Sequence, residues 1–185
     1  MMTSNRLIAS AAAIAALLGL SSAASAELPV GTAAPNFTTK GALAGKDFSF
    51  ELQSALKKGP VVLYFFPKAF TQGCTLEANA FAEAMDEFEA AGASVVGMSA
   101  DDLPTLKRFS TEECRDKFPV ATASSSVIRS YDVAFVRDGK DTGLSDRTSY
   151  VIGQDGKIKL AHSELDWRNH VSMTLAKVKQ LKAAK

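Results

Sequence analysis

The sequence predicts an α/β fold in which a central mixed β-sheet carries helices on both faces. Three observations predict it. Two apolar runs, VVLYFF (61–66) and ASVVGMSA (93–100), show almost no polar alternation, as strands buried on both faces do. Between them lies a segment with helical spacing: Leu76, Ala80, Phe81, Ala84, Met85 and Phe88 recur every three or four residues. Near the end, RTSYVIG and IKLAHS flank QDGK, whose Asp-Gly pair is a strong hairpin signal.

The remaining elements follow in order. ELPVGTAAPNF (27–37) reads as an extended lead-in, because its prolines discourage a helix. DFSFEL alternates apolar and polar residues as a strand does, and QSALKKG suits a helical turn ended by Gly59. The main helix opens at Gln72 and ends near Gly92, and LPTLKRFSTEEC (103–114) is a second helix with Pro104 in its first turn. FPVATA is a short strand, SSVIRSYDV a short helix, and Arg168 to Lys182 a closing helix. Strand, helix, strand, helix, then a hairpin and a helix is a thioredoxin-like arrangement.

The amino terminus reads differently. Met1 to Ala26 holds one positive charge, Arg6, then the apolar stretch Ile8 to Leu20, and closes on Ala24-Ser25-Ala26. This is the pattern of a cleaved secretory signal peptide, and the apolar stretch falls short of the ~20 residues a membrane-spanning helix needs. The expected organisation is a signal peptide, residues 1–26, and one domain, residues 27–185, in a periplasmic or secreted protein with no stable membrane association. The 185-residue chain has 21 Lys and Arg against 20 Asp and Glu, and no dense basic run, so nothing points to nucleic acid. With only two histidines, neither at ligand spacing from a cysteine or carboxylate, a metal site is not expected, nor is a cofactor.

Only two cysteines occur, Cys74 and Cys114. In an exported protein the simplest reading is one structural disulfide. The position of Cys74 argues for more. With Thr71 as N-cap, Cys74 is the third helical residue, where free backbone N–H groups and the helix dipole favour a thiolate. Gly73 leaves space beside the sulfur, and Pro67 stiffens the strand exit. These neighbours also have ordinary readings, Thr71 as a cap and Pro67 as a strand end, just as Glu77 can complement the helix dipole and the distant Arg147 can be a strand-edge charge.

Pro67, Thr71 and Cys74 spell P-x-x-x-T-x-x-C, which resembles the peroxidatic motif of peroxiredoxins. The fuller string YFFPKAFTQGCTLEA resembles the Q-type, or bacterioferritin-comigratory, branch, and DRTSYVIGQDGKI resembles the family's later segment that carries an essential arginine. The resemblance implies a thiol peroxidase of the thioredoxin-dependent type, reducing hydrogen peroxide and organic hydroperoxides. It makes Cys74 the nucleophile and Arg147 the partner that favours the thiolate and binds peroxide. Thr71 hydrogen-bonds the reacting oxygens, Pro67 shields the site, and Glu77 holds the arginine.

The sequence departs from this branch at one place. Many members carry a resolving cysteine five residues after the first, where this chain has Asn79. Cys114 resembles a minority arrangement with the resolving cysteine in the next helix. It is the expected resolving thiol, with a bystander role or a static bridge as alternatives. Phe65, Phe66 and Phe70 are candidates for an apolar mouth or for plain core, and Trp167 has no assigned role. Two rival functions remain: an exported thiol–disulfide oxidoreductase, although no C-x-x-C is present, and an inert binding domain of the same fold with a structural disulfide. Reductant candidates are a thioredoxin-like protein, a glutaredoxin or glutathione, and a monomer is expected.

Overall fold

The computed structural model describes residues 27–184, so the signal peptide expected over 1–26 lies outside the described residues. In chain order the elements are β1 (Thr38–Leu43), β2 (Lys46–Glu51), α1 (Leu52–Leu56), β3 (Val61–Phe65), α2 (Gln72–Ala90), β4 (Ser94–Ser99) and α3 (Leu103–Glu112). They continue as β5 (Val120–Thr122), α4 (Ser125–Ser130), β6 (Ala134–Arg137), β7 (Lys140–Ser145), β8 (Thr148–Ile152), β9 (Ile158–Ser163) and α5 (Arg168–Ala183). Seven strands form one sheet in the order β2-β1-β5-β4-β3-β8-β9. It is mixed: β3 runs parallel to β4 and β4 to β5, while β8 is antiparallel to β3.

All five residues of β3 are buried, as its unbroken apolar run predicts. Its side chains alternate between two cores. Val62 and Tyr64, with Phe66 just beyond, pack under α2, α3 and α5. Val61, Leu63 and Phe65 face the other way, under α1 and α4. The sheet is thus sandwiched, and β3 ends at the site. Gly97 on β4 makes room for this packing, because a Cβ there would meet the Tyr64 ring and hydroxyl at 2.8 Å.

Two features differ from the sequence-based reading. β1 is a strand, paired with β2 through a two-residue turn, Ala44-Gly45, whose φ angles are 51° and 72°. TTKGAL has no usable alternation; its strand character comes from pairing with β2 and β5, and Gly41 permits a backbone approach that a Cβ would block at 2.2 Å from the Val120 carbonyl. The second is a separate ribbon, β6–β7, turned by Asp138-Gly139 at φ 51° and 72°. That Asp-Gly carried the cue for it, but the flanking strands are largely exposed and lack a clear apolar face.

Candidate active site

β3 delivers the chain into the loop Phe66–Phe70, and this loop sets where α2 begins. Phe70 has a φ of +63°, a region a bulky residue enters at a cost of about 1–2 kcal/mol. Its surroundings hold it there. The Ala69 N–H donates to Asp101 Oδ2 (2.7 Å), and the Phe70 ring sits edge-on to Phe109 at 5.3 Å with the Arg108 guanidinium over it at 4.9 Å. The next residue, Thr71, is extended (φ −80°, ψ 149°) and is the N-cap of α2, which makes Cys74 the third residue of the helix.

Thr71 does not cap with its side chain, as a helix-capping threonine would. Its hydroxyl donates instead to the Lys68 carbonyl at 2.9 Å. The ordinary capping explanation for this residue therefore fails. Pro67 is half-buried in the same loop.

Cys74 is only 1% exposed. Arg147, itself buried, is the hub of the site. Its Nη2 donates to Cys74 Sγ at 3.5 Å, its Nη1 to Glu77 Oε2, and its Nε to the Leu165 carbonyl at 2.8 Å. The guanidinium is thus fixed by α2 and by the loop between β9 and α5, while its own backbone precedes β8. Burial works against its charge, but the Glu77 carboxylate and the Cys74 sulfur outweigh that and hold its pKa above the ordinary value. Glu77 is fully buried, and burial pushes its carboxyl up to about 8 even though Arg147 pulls the other way.

Gly73 serves a purpose other than the expected one. A Cβ there would meet Arg147 Nη2 at 3.1 Å, so the missing side chain makes room for the guanidinium rather than for the sulfur. Trp167, unassigned from the sequence, borders the same space, its ring 4.0 Å from that Cβ position.

Of the expected residues, the structure joins Cys74, Glu77 and Arg147 in one bonded group, with Thr71 and Pro67 on the loop leading into it. Cys114 follows the end of α3 and is fully buried in the same core as Cys74, and both thiols are free. Burial, reinforced by Glu113 and Asp116, holds the Cys114 thiol well above its usual range. Asn79, where a resolving cysteine is absent, instead donates to Glu113 Oε2 at 3.1 Å. Phe65 lines no mouth, since it faces the opposite core; Phe66 is buried beneath the site and Phe70 half-exposed beside it. Sequence reasoning missed His170, which is buried with its Nδ1 3.8 Å from Glu77 Oε1. Ninety-odd residues of chain separate the two, and no local pattern connects them. Among the described residues no cluster of His, Cys, Asp and Glu is arranged to hold a metal.

A buried cysteine in the first turn of a helix is bonded to an arginine that a buried glutamate holds, on an α/β sandwich, an arrangement in which a thiol can act as a nucleophile. Comparison with known proteins gives the chain its family. A family model described as the AhpC/TSA family matches residues 30–161, and the chain belongs to that family. It is 32% identical over 146 residues to the chloroplastic peroxiredoxin Q of Oryza sativa subsp. japonica, covering 78% of this chain and 64% of that one. The chain therefore spans just under two-thirds of the rice protein's length. It is also 32% identical over 122 residues to peroxiredoxin Bcp of Escherichia coli (strain K12), covering 65% of this chain and 78% of that one. Among solved structures, peroxidoxin BcpB from Mycobacterium tuberculosis superposes with a TM-score of 0.72 at 30% identity, covering 82% of this chain and 97% of that one. That solved neighbour shares the thioredoxin-type sandwich expected from the element order.

Proposed function

We propose that this protein is a thiol peroxidase that reduces hydrogen peroxide and organic hydroperoxides through Cys74. The observation that carries the reading is Arg147, which touches both Cys74 Sγ and Glu77 and is buried with them. The Cys74 thiolate attacks one peroxide oxygen, an S–O bond forms as the O–O bond breaks, and the departing oxygen leaves as water or alcohol after taking one proton. Arg147 supplies positive charge and N–H donors where that charge moves. The Thr71 proton is engaged by the Lys68 carbonyl, which leaves its oxygen lone pairs free to accept the O–H of an incoming peroxide.

The sulfenic acid then condenses with Cys114, releasing water and leaving a disulfide that an external dithiol or thiol reduces. Burial keeps the Cys114 thiol protonated while α3 stays packed, so resolution requires the end of α3 to leave α2. A thioredoxin-like protein, a glutaredoxin or glutathione fits as reductant. Residues 1–26 act as an export signal, which puts the enzyme, as a monomer, in the periplasm or outside the cell.

The test is the intact mass of the reduced domain 27–185 after one equivalent of hydrogen peroxide. Loss of two hydrogens, abolished in Cys74→Ser, is expected, and Cys114→Ser should trap one added oxygen. A stable added oxygen in the unmodified domain would assign resolution to an external thiol. No reaction within minutes would overturn the peroxidase reading.

A further inference from the structure

Behind Arg147 the structure holds a second buried polar group that the peroxidatic chemistry described above does not use. On the α2 and α5 side of the sheet, Ser149 of β8 lies directly between Tyr64 of β3 and His162 of β9 in register. His170, from the first turn of α5, closes over this row and is completely buried. Its ring is fixed at both nitrogens. Ser149 Oγ lies 2.8 Å from Nδ1, and the Glu164 carbonyl lies 2.9 Å from Nε2.

A carbonyl can only accept, so Nε2 carries the proton and Nδ1 is left as an acceptor, which the Ser149 hydroxyl fills. The imidazole is then neutral, and burial agrees, holding His170 down at about 4. The charged and titratable groups that face it are Glu77 from α2, Arg147 ahead of β8, His162 from β9 and Asp166 from the loop before α5. The His162 and His170 rings lie 4.5 Å apart.

The consequence falls on Glu77. Its Oε2 is bonded by Arg147, but its Oε1 is buried with no hydrogen-bond partner and faces His170 Nδ1 at 3.8 Å. A protonated imidazole there would compete with Arg147 for the carboxyl group, and a small residue would let it turn. We propose that His170 is a positioning residue for the peroxidatic cysteine: a neutral imidazole, fixed by Ser149 and the Glu164 carbonyl, it backs Glu77 so that this carboxyl group engages Arg147 through one oxygen and leaves Nη2 for Cys74. The Leu165 carbonyl, one residue after Glu164, fixes the other edge of the same guanidinium, so the β9–α5 loop serves His170 and Arg147 together.

This rests on the peroxidase reading, and one experiment separates the two. The second-order rate of reaction with hydrogen peroxide is measured from pH 5 to 9 for the unmodified protein, His170→Leu and His170→Asn. Each variant's melting temperature is measured alongside. Asn retains a side-chain acceptor near the position of Nδ1, whereas Leu fills the space without one. The expected result is a fall of about tenfold or more in rate for His170→Leu with a changed pH profile, and recovery to within about threefold in His170→Asn. A well-folded His170→Leu with an unchanged rate and profile overturns the proposal. If His170→Leu does not fold, Ser149→Ala, which frees the ring but keeps it, replaces it; a severalfold slower rate with a shifted profile is then expected, and no change overturns the proposal. If the unmodified protein itself fails to react with peroxide, the peroxidase reading fails instead.

Discussion

Gly73→Ala separates the folding role of the first turn of α2 from its chemical role, because the two effects have opposite signs. Gly73 occupies the second helical position with an ordinary negative φ, so alanine fits the backbone. Replacing a helical glycine with alanine is worth about 0.5–1 kcal/mol of stability, a rise of about 1–4 °C in Tm for a domain of this size. The added methyl meets Arg147 Nη2 at 3.1 Å, and that nitrogen must withdraw by a few tenths of an ångström. It now lies 3.5 Å from Cys74 Sγ. Withdrawal to about 3.9 Å at an effective dielectric near 20 removes roughly 0.5 kcal/mol of attraction, about twofold in rate. Loss of the charged hydrogen bond raises the total toward tenfold or beyond. The assay is stopped-flow peroxide consumption beside thermal unfolding. The expected outcome is a more stable and slower protein; a stabilised variant with an unchanged rate would show that the Arg147–Cys74 contact does not contribute to the reaction.

Three further predictions rest on neighbouring contacts. Arg147→Ala leaves the buried Glu77 carboxyl without its partner, so it should cost about 1–3 kcal/mol in urea unfolding and 10²–10³-fold in peroxide rate; a loss of one without the other would separate the two roles. Glu77 has its folded pKa raised above the ordinary 4.5 to about 8, so the stability it contributes is complete below 4.5 and is lost as pH rises through 8. His170, lowered from 6.5 to about 4, acts in the opposite sense, its contribution being present above 6.5 and lost as pH falls toward 4. Between pH 6.5 and 8 only Glu77 of these two changes, so urea midpoints should fall with pH in the unmodified protein and flatten in Glu77→Gln. Finally, Asn79→Ala removes the bond to Glu113 that ties the end of α3 to α2, worth about 1 kcal/mol. It should speed formation of the proposed Cys74–Cys114 bridge about fivefold, read by mass after quenching, while leaving the rate of sulfenic acid formation unchanged.

How much was legible depends on the range of the forces involved. β3, α2, β4 and the β8–β9 hairpin announce themselves because burial on two faces, helical spacing and an Asp-Gly turn are written within a few consecutive residues. β1 escaped because TTKGAL is a strand only through its neighbours; nothing in those six residues requires the ladder that β2 and β5 supply. The β6–β7 ribbon escaped for the related reason that its strands bury almost nothing.

At the site, the sequence alone determined that Cys74 would open a helix directly after a buried strand, with Thr71 and Glu77 at fixed helical offsets from it. Local geometry sets those positions whatever the rest of the chain does. Only the tertiary structure decided the partners. Arg147 reaches Cys74 across 73 residues because β8 pairs antiparallel with β3, and Gly73 clears the guanidinium's path. His170 reaches Glu77 because α5 packs beside α2 across the same sheet. Charge and hydrogen bonding act through space over a few ångströms, and it is the order of strands in the sheet, not the order of residues in the chain, that sets which groups come that close.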